Sequence, residues 1–427
     1  MSGDVSKVSL YVKIDAAWMR DTAKGLLAVC GESTLIDVKI EEIGSGKYMS
    51  VTILNQPSTF SRSVNCNTLV GCLGESKGIC FSLVGKQFLG IVSKIIVKKG
   101  DLIGLRLYAS KLYISVISEN KRSDINYEFA VYGKHGSSHG FDRGNASCAM
   151  VQAWPFLDVM KRIKKIKDGS ISGTSGLLIV FDGKVENTEK KDVITFYAYN
   201  NNMSLMAEVG AVGAMGKGKV CLDLGAAHDI HGACTGVNDE DMVVVSIGKG
   251  VLIERTRSEL NGVDLFIQDK LGASEGIVKV FSAARSKVRS QAVVNAEKLK
   301  GAMERLCIIS KGNPDNANKI HVDVIAHRGR IKFSCASPGN SGSEMIEADV
   351  SFGEENCYVN AGKLSDILKG SDYSENMVVS WGGNVMQFEW DEVKDEVVIM
   401  EVEGKKKKVS VPAYRVHYRA LLALMKG

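Results

Sequence analysis

Three stretches of this 427-residue chain carry side chains spaced as chemistry would need them. "GAMGKGKV" (Gly213–Val220) satisfies G-x-x-x-x-G-K, the spacing of a loop that cradles nucleotide phosphates. Such a loop also needs Ser or Thr after the Lys to hold magnesium, with a strand before it and a helix after it. Val220 stands at that position and begins a β-like run, so the segment reads as a flexible loop. "HDIHGAC" places His228 and His231 one helical turn apart, with Cys234 three residues on, and zinc accepts such donors. No second cluster has ligand spacing, so these read as ordinary helix histidines, and His135 and His139 in a Gly/Ser-rich segment read the same way. The third stretch, Lys405–Lys408, is either a solvated loop or a phosphate contact. The remaining His and carboxylates form no nucleophile–base or acid–base set, so neither catalytic residues nor a metal or cofactor are expected.

With no chemistry to position, the question becomes what the elements are for. Hydrophobic content is 45% and charged content 24%, as in soluble globular proteins. The 44 Gly against 5 Pro suit many short strands joined by tight turns. No apolar run reaches the roughly 18 residues of a membrane span, and the start, "MSGDVSKVSLYVKID", lacks a signal peptide's apolar segment. Ten cysteines without a C-x-x-C spacing read as buried thiols in a reducing, cytoplasmic compartment.

The chain spells Val-Asn-Ala-x-Lys-Leu twice, in "AVVNAEKLKGAMERL" and "CYVNAGKLSDIL". Each copy is an apolar run followed by Asn, a good N-cap, and then a helical pattern. Six such strand-to-helix junctions are predicted, near Asp15, Gly85, Trp154, Leu224, Asn295 and Asn360, at intervals of roughly seventy residues. Each is followed by β-rich runs, such as "TLIDVKIEEI", "KYMSVTILN" and "TFSRSVNC" after the first. The unit is therefore strand–helix–strand–strand–strand. One helix and a few strands bury little alone, so the units are expected to pair into three domains, 1–137, 138–272 and 273–416, with a tail at 417–427. "YGKHGSSHGFDRGNAS" (Tyr132–Ser147) and "QDKLGASEG" (Gln268–Gly276) suit the linkers.

The six helical windows together carry a net +8, although the whole chain carries only +5. The strands and loops are thus slightly acidic and the helices basic, either as ordinary solvated faces or as a helix-lined surface toward phosphates.

The last third resembles the bacterial DNA polymerase III beta sliding clamp family. The resemblance rests on "VNAEKLKGAMERLCIIS", "GRIKFSCASPGNSGSEMIEADV" and "CYVNAGKLSDILKG", and on "VSVPAYRV" (Val409–Val416) beside the family's closing Met-Pro-x-Arg-Leu. "KVCLDLGAAHDI" and "GVNDEDMVVVSIGKGVLIERTRSELNG" resemble the family's middle domain, while the first 140 residues share only the repeat grammar. The resemblance implies an α+β DNA-clamp fold of three tandem domains, with helices inside and sheets outside. It implies a head-to-tail homodimer closed around duplex DNA, bound without sequence preference. It also implies that the polymerase and the clamp loader dock through short apolar peptides between the middle and last domains, at a nucleoid or viral replication site. The DNA-facing candidates are Arg20, Lys24, Lys86, Lys94, Lys161, Arg162, Lys164, Lys165, Lys298 and Arg305. The partner-pocket candidates are Tyr199, Leu205, Ile267, Val411, Pro412, Tyr414 and Arg415. Where the family's pocket strand has Thr-Asp-Gly-His-Arg-Leu this chain has "YNNNMSLM" (Tyr199–Met206), so the pocket or its ligand has changed. The closing "LLALMKG" reads as a helix docking on its own domain, or else as a ligand for that pocket. The alternative function is a clamp-fold, non-catalytic scaffold that recruits transcription or repair proteins without ring closure.

Overall fold

The computed structural model describes residues 10–27, 30–43, 46–55, 58–65, 68–69, 78–98, 100–108, 110–118, 121–133, 141, 143–166, 175–182, 192–200, 203–234, 241–257, 261–268, 275–310, 319–325, 329–337, 339–353, 355–368, 375–402 and 405–425. They form two compact units. Unit 1 holds residues 1–160, 212–220 and 226–269, and unit 2 holds 161–211, 221–225 and 270–427.

Among the described residues six helices start at or within two residues of the expected junctions, and a seventh is additional. They are α1 (Ala16–Leu27), α2 (Gly85–Lys94), α3 (Ala153–Ile163), α4 (Ala226–Ala233), α5 (Glu275–Ser286), α6 (Ala296–Ser310) and α7 (Ala361–Leu368). Three begin with side-chain caps: Asp15 Oδ1 accepts from Trp18 N (2.7 Å), Asn295 Oδ1 from Lys298 N (2.9 Å) and Asn360 Oδ1 from Lys363 N (3.0 Å). Each cap satisfies a helix donor that would otherwise lack a partner, and each stands at the last residue of a strand, which makes the strand-to-helix corner sharp.

Unit 1 contains two sheets. In the smaller one, β1 (Leu10–Asp15) lies between β5 (Thr68–Leu69) and β7 (Leu102–Tyr108), and β8 (Lys111–Ser118) and β9 (Lys121–Ala130) follow. The larger one begins with β10 (Tyr132–Gly133), β6 (Gly78–Val84), β2 (Leu35–Ile43), β3 (Gly46–Asn55) and β4 (Ser58–Asn65). It continues through β18 (Asn261–Gln268), β17 (Gly250–Arg257), β16 (Met242–Ile247) and β11 (Ser147–Gln152). Helix α1 lies beside α2 and touches α4. Phe88 of α2 meets Phe129 of β9 edge-on, at 5.5 Å between ring centroids.

In unit 2, β12 (Gly176–Asp182), β13 (Val193–Tyr199), β14 (Met203–Met215), β26 (Lys405–Ala423), β25 (Val385–Val402), β24 (Asn376–Gly382) and β19 (Ser290–Asn295) run in that order, every pair antiparallel. Beyond β14, Gly216 turns the chain into β15 (Lys217–Leu222). β22 (Asn340–Gly353) joins β19 through its second half; its first half pairs β21 (Arg330–Ser337), which leads to β20 (Lys319–Ile325) and β23 (Cys357–Asn360). Beneath these strands α6 and α7 pack together, with Leu299, Met303, Leu306 and Leu364 buried.

Three sequence expectations are corrected. Residues 275–286 form a helix where a linker was expected to be ending. Ile277, Phe281 and Ala284 recur at helical spacing and dock on Leu178, Met206 and Leu421 of the sheet face, with Tyr197 and Tyr199 packed alongside. The chain then returns to β19 by passing so close to Gly382 that a side chain there would strike the Lys287 carbonyl. "LLAL" is the end of strand β26 and not a helix, because the groups facing it are the free edges of β14 and β25. Lys405–Lys408 belong to the start of the same strand instead of a loop.

Candidate functional site

The G-x-x-x-x-G-K segment is a β-hairpin. Gly216 turns with φ +79°, and Ser147 Oγ donates to the Lys217 carbonyl (2.5 Å) against the turn. Strand–turn–strand geometry aims no row of helix N–H groups at a phosphate. Among the described residues, no group of three or more His, Cys, Asp or Glu side chains is placed to hold a metal ion. His228 and His231 lie on α4, and His135 and His139 lie outside the described residues. No helix among the described residues is long and apolar enough to cross a membrane. Eight cysteines among the described residues are free thiols. Burial pushes the Cys357 thiol up to about 12, and Glu355 adds to the shift.

The candidate cations differ in their surroundings, and Lys165 is half-buried beside a cleft in unit 2. Lys24, Lys94, Lys161 and Lys164 are exposed. Arg20, Lys86, Lys298 and Arg305 face carboxylates: Arg20 faces Asp21 (3.5 Å), Lys86 pairs with Glu32, Lys298 with Glu347 (3.5 Å) and Arg305 with Glu344 (2.7 Å). The Arg305 bonds hold the Glu344 carboxyl below its ordinary range.

Arg162 corrects the reading of α3's basic run. It is 6% exposed, paired with Glu392, and its guanidinium lies 4.3 Å from the Tyr418 ring centre. α3 ends at Ile163, so Lys164 and Lys165, expected on the helix, lie in the turn after it; of the helical pair Lys161 and Arg162, 100° apart, Arg162 is the one directed inward. Tyr418 stacks on Trp390 at 5.3 Å and 17° between ring planes, so the buried charge rests against two aromatic rings.

Beside this cluster unit 2 has a small, shallow cleft of about 30 Å³. Ile166, Met203, Leu205, Ile367, Trp390 and Ala420 give it apolar walls; Arg162, Lys165 and Asp366 add charged groups. Of the pocket candidates Leu205 lines it, and Tyr199 is half-buried on the neighbouring strand against Gly176. Ile267 is buried in β18 of unit 1. The register places Leu205 opposite Ala420, five residues from Arg415, or roughly 17 Å along the strand. Arg415 is exposed and donates to Asp391 (2.5 Å), which also lies 3.0 Å from His417 Nδ1. Burial raises the Asp391 carboxyl, but those two bonds outweigh it and hold the pKa below its ordinary value. Val411, Pro412 and Tyr414 pair by backbone with Glu396, Asp395 and Lys394, and their side chains lie outside the described residues. The strand facing the cleft is therefore Val416–Leu422, where the sequence pattern predicted a tail. The signal that could have found it is the short apolar run "ALLAL", whose Ala420, Leu421 and Leu422 are all buried, as in a strand covered on both faces.

No protein-family model matches the sequence, and no curated protein matches it. Solved structures do match. The DNA polymerase III subunit beta of Pseudomonas aeruginosa superposes with a TM-score of 0.70 at 12% identity, covering 98% of this chain and 100% of that one. The beta subunit of Thermotoga maritima DNA polymerase III gives 0.69 at 10% identity over the same shares. This chain has the α+β fold of the bacterial beta sliding clamps along nearly its whole length.

Proposed function

We propose that this chain is a DNA sliding clamp: two copies close head to tail around duplex DNA and tether a polymerase. The reading divides the chain into three clamp domains near the expected boundaries, the last running on through β26. Its work is topological and asks for no catalytic step, and the reduced thiols suit a cytoplasmic setting.

Beyond the fold, what carries the reading is a pair of open sheet edges. β9 ends the small sheet of unit 1, and β22 over Asn340–Glu347 pairs on one side only among the described residues. Open edges invite strand addition. Tyr127 and Tyr132 are exposed near the first, and Met345 on the second. Because a head-to-tail contact uses two different surfaces, it closes a ring only when the rotation returns to the start.

The apolar cleft around Leu205 and Trp390 is the seat for a short apolar peptide of the polymerase or loader. Exposed cations such as Lys24, Lys94, Lys161 and Lys164 face the duplex.

The test is retention on DNA. The protein is loaded on nicked circular duplex, isolated at high salt, and the circle is then cut once. Retention on the circle and release from the linear form is the expected result, because salt screens charges but cannot open a ring. Equal retention on both forms, together with a monomeric mass in solution, establishes the scaffold alternative instead.

A further inference from the structure

The β25–β26 hairpin outruns the sheet that holds it. β24 covers β25 only as far as Glu389, and β14 covers β26 only from Val416 onward. Beyond those points Lys394–Val402 and Lys405–Tyr414 pair, among the described residues, only with each other. Nine residues of strand make an arm of roughly 30 Å.

A two-stranded ribbon is marginal in water on its own, so an arm of this kind needs a fixed root. The root is held by buried and paired side chains. Glu392 is buried with Arg162, Trp390 stacks on Tyr418, and Asp391 holds Arg415 and His417.

The tip is basic. The register sets Lys405 opposite Val402, Lys406 opposite Glu401, Lys407 opposite Met400 and Lys408 opposite Ile399. One of the four lysines thus has a carboxylate directly across the ladder, and three have apolar residues. Along the ladder Lys405 and Lys407 alternate with Lys406 and Lys408, so two of the four positions belong to each side of the ribbon. The Lys run has no aromatic or Arg residue of the kind that anchors a protein interface. Ammonium groups without further geometry suit phosphate oxygens, which they neutralise regardless of base sequence. A two-stranded ribbon also fits the major groove of a duplex.

We infer that the β25–β26 arm is a second nucleic-acid contact, distinct from the helix-borne cations, and that its Lys405–Lys408 tip grips the phosphate backbone. This rests on the reading that the protein works on DNA. Its competitor is that the lysines only guard an open strand edge against aggregation.

The experiment measures affinity of the full chain for a short linear duplex across a salt series, which needs no ring. With Lys405, Lys406, Lys407 and Lys408 all changed to Gln, the slope of log K against log salt should fall by roughly 2 to 3.5, at about 0.9 for each phosphate no longer neutralised. The matching Lys→Arg variant should keep the parent slope. Retention on nicked circles at high salt should be unchanged by the Gln variant, so failure here and failure of the ring are separate results. An unchanged slope, with or without increased aggregation, overturns the inference. Should the Gln variant not fold, the parent chain decides: duplex DNA should protect Lys405–Lys408 from amine acylation as read by mass spectrometry, and equal labelling with and without duplex refutes the contact.

Discussion

Arg162 and Arg305 occupy similar places, each near the C-terminal half of a basic helix that follows a strand directly. Their fates differ. Arg162 is enclosed with Glu392 and two aromatic rings, whereas the Arg305 side chain is 63% exposed beside Glu344. Both are salt-bridged arginines on a helix, yet one is part of the interior and the other part of the surface. The number of positive charges on a helix therefore says little about how many face a ligand; the group standing opposite each one decides.

The largest effect should come from breaking the buried pair. Arg162→Ala leaves the Glu392 carboxylate enclosed without its cation and should cost about 3–5 kcal/mol in urea unfolding. Replacing both partners, as Arg162→Met with Glu392→Leu, should recover most of that stability. A cost under about 1 kcal/mol for the single change would mean that water reaches the pair, and the contrast with Arg305 would collapse.

Next in size is the DNA contrast. Lys161→Glu changes the exposed cation of α3 and should reduce the salt slope of duplex binding by roughly 1. Arg305→Glu should change it less, since Glu344 already answers that charge. Equal slopes for the two variants would show that pairing does not remove a cation from the DNA-facing set.

A smaller effect separates the cap that places α6 from the charge that decorates it. Asn295→Ala removes the cap on Lys298 N and should cost about 1 kcal/mol. Arg305→Ala should lower the unfolding midpoint by less, and the difference from the parent should vanish in high salt.

The smallest is a pH effect. Glu344 has a depressed pKa in the folded chain, so the unfolded chain binds its proton more readily. Its contribution is present above the unfolded value, near pH 4.5, and is lost as pH falls through the lower folded value. Stability of the parent relative to Arg305→Ala should therefore shrink on acidification through that window; a constant difference would remove Arg305 as the cause.

Much of the fold was legible because one local device recurs at three of the six junctions. A strand ends in a capping residue at Asp15, Asn295 and Asn360, and the helix begins at the next residue. α5 was not legible. Its docking stripe, Ile277, Phe281 and Ala284, is interleaved with β-branched Val278 and Val280, and Gly and Ser precede it. Only the sheet face waiting at Tyr197 and Met206 makes it a helix. The inward turn of Arg162 was hidden for a related reason, since Glu392 lies over two hundred residues away in sequence. Leu205, named from the sequence, lines the cleft, but its ladder neighbour Ala420 was missed, because "VPAYRV" is the middle of β26, which runs on to Ala423.

The long-range pairing of β14 with β26 also sets a timetable. Met203 faces Leu422, roughly two hundred residues downstream, a high contact order for one sheet. At roughly 5–20 residues per second of synthesis, β14 leaves the ribosome some 10–40 s before its neighbour exists. In unit 1, β4 waits as long for β18. Each half of the nascent protein thus spends its early life with an unpaired strand edge, and the final shape is sealed only when the last strand emerges. Such a chain is expected to depend on chaperones while it is being made, and to refold from denaturant slowly even if the finished protein is stable.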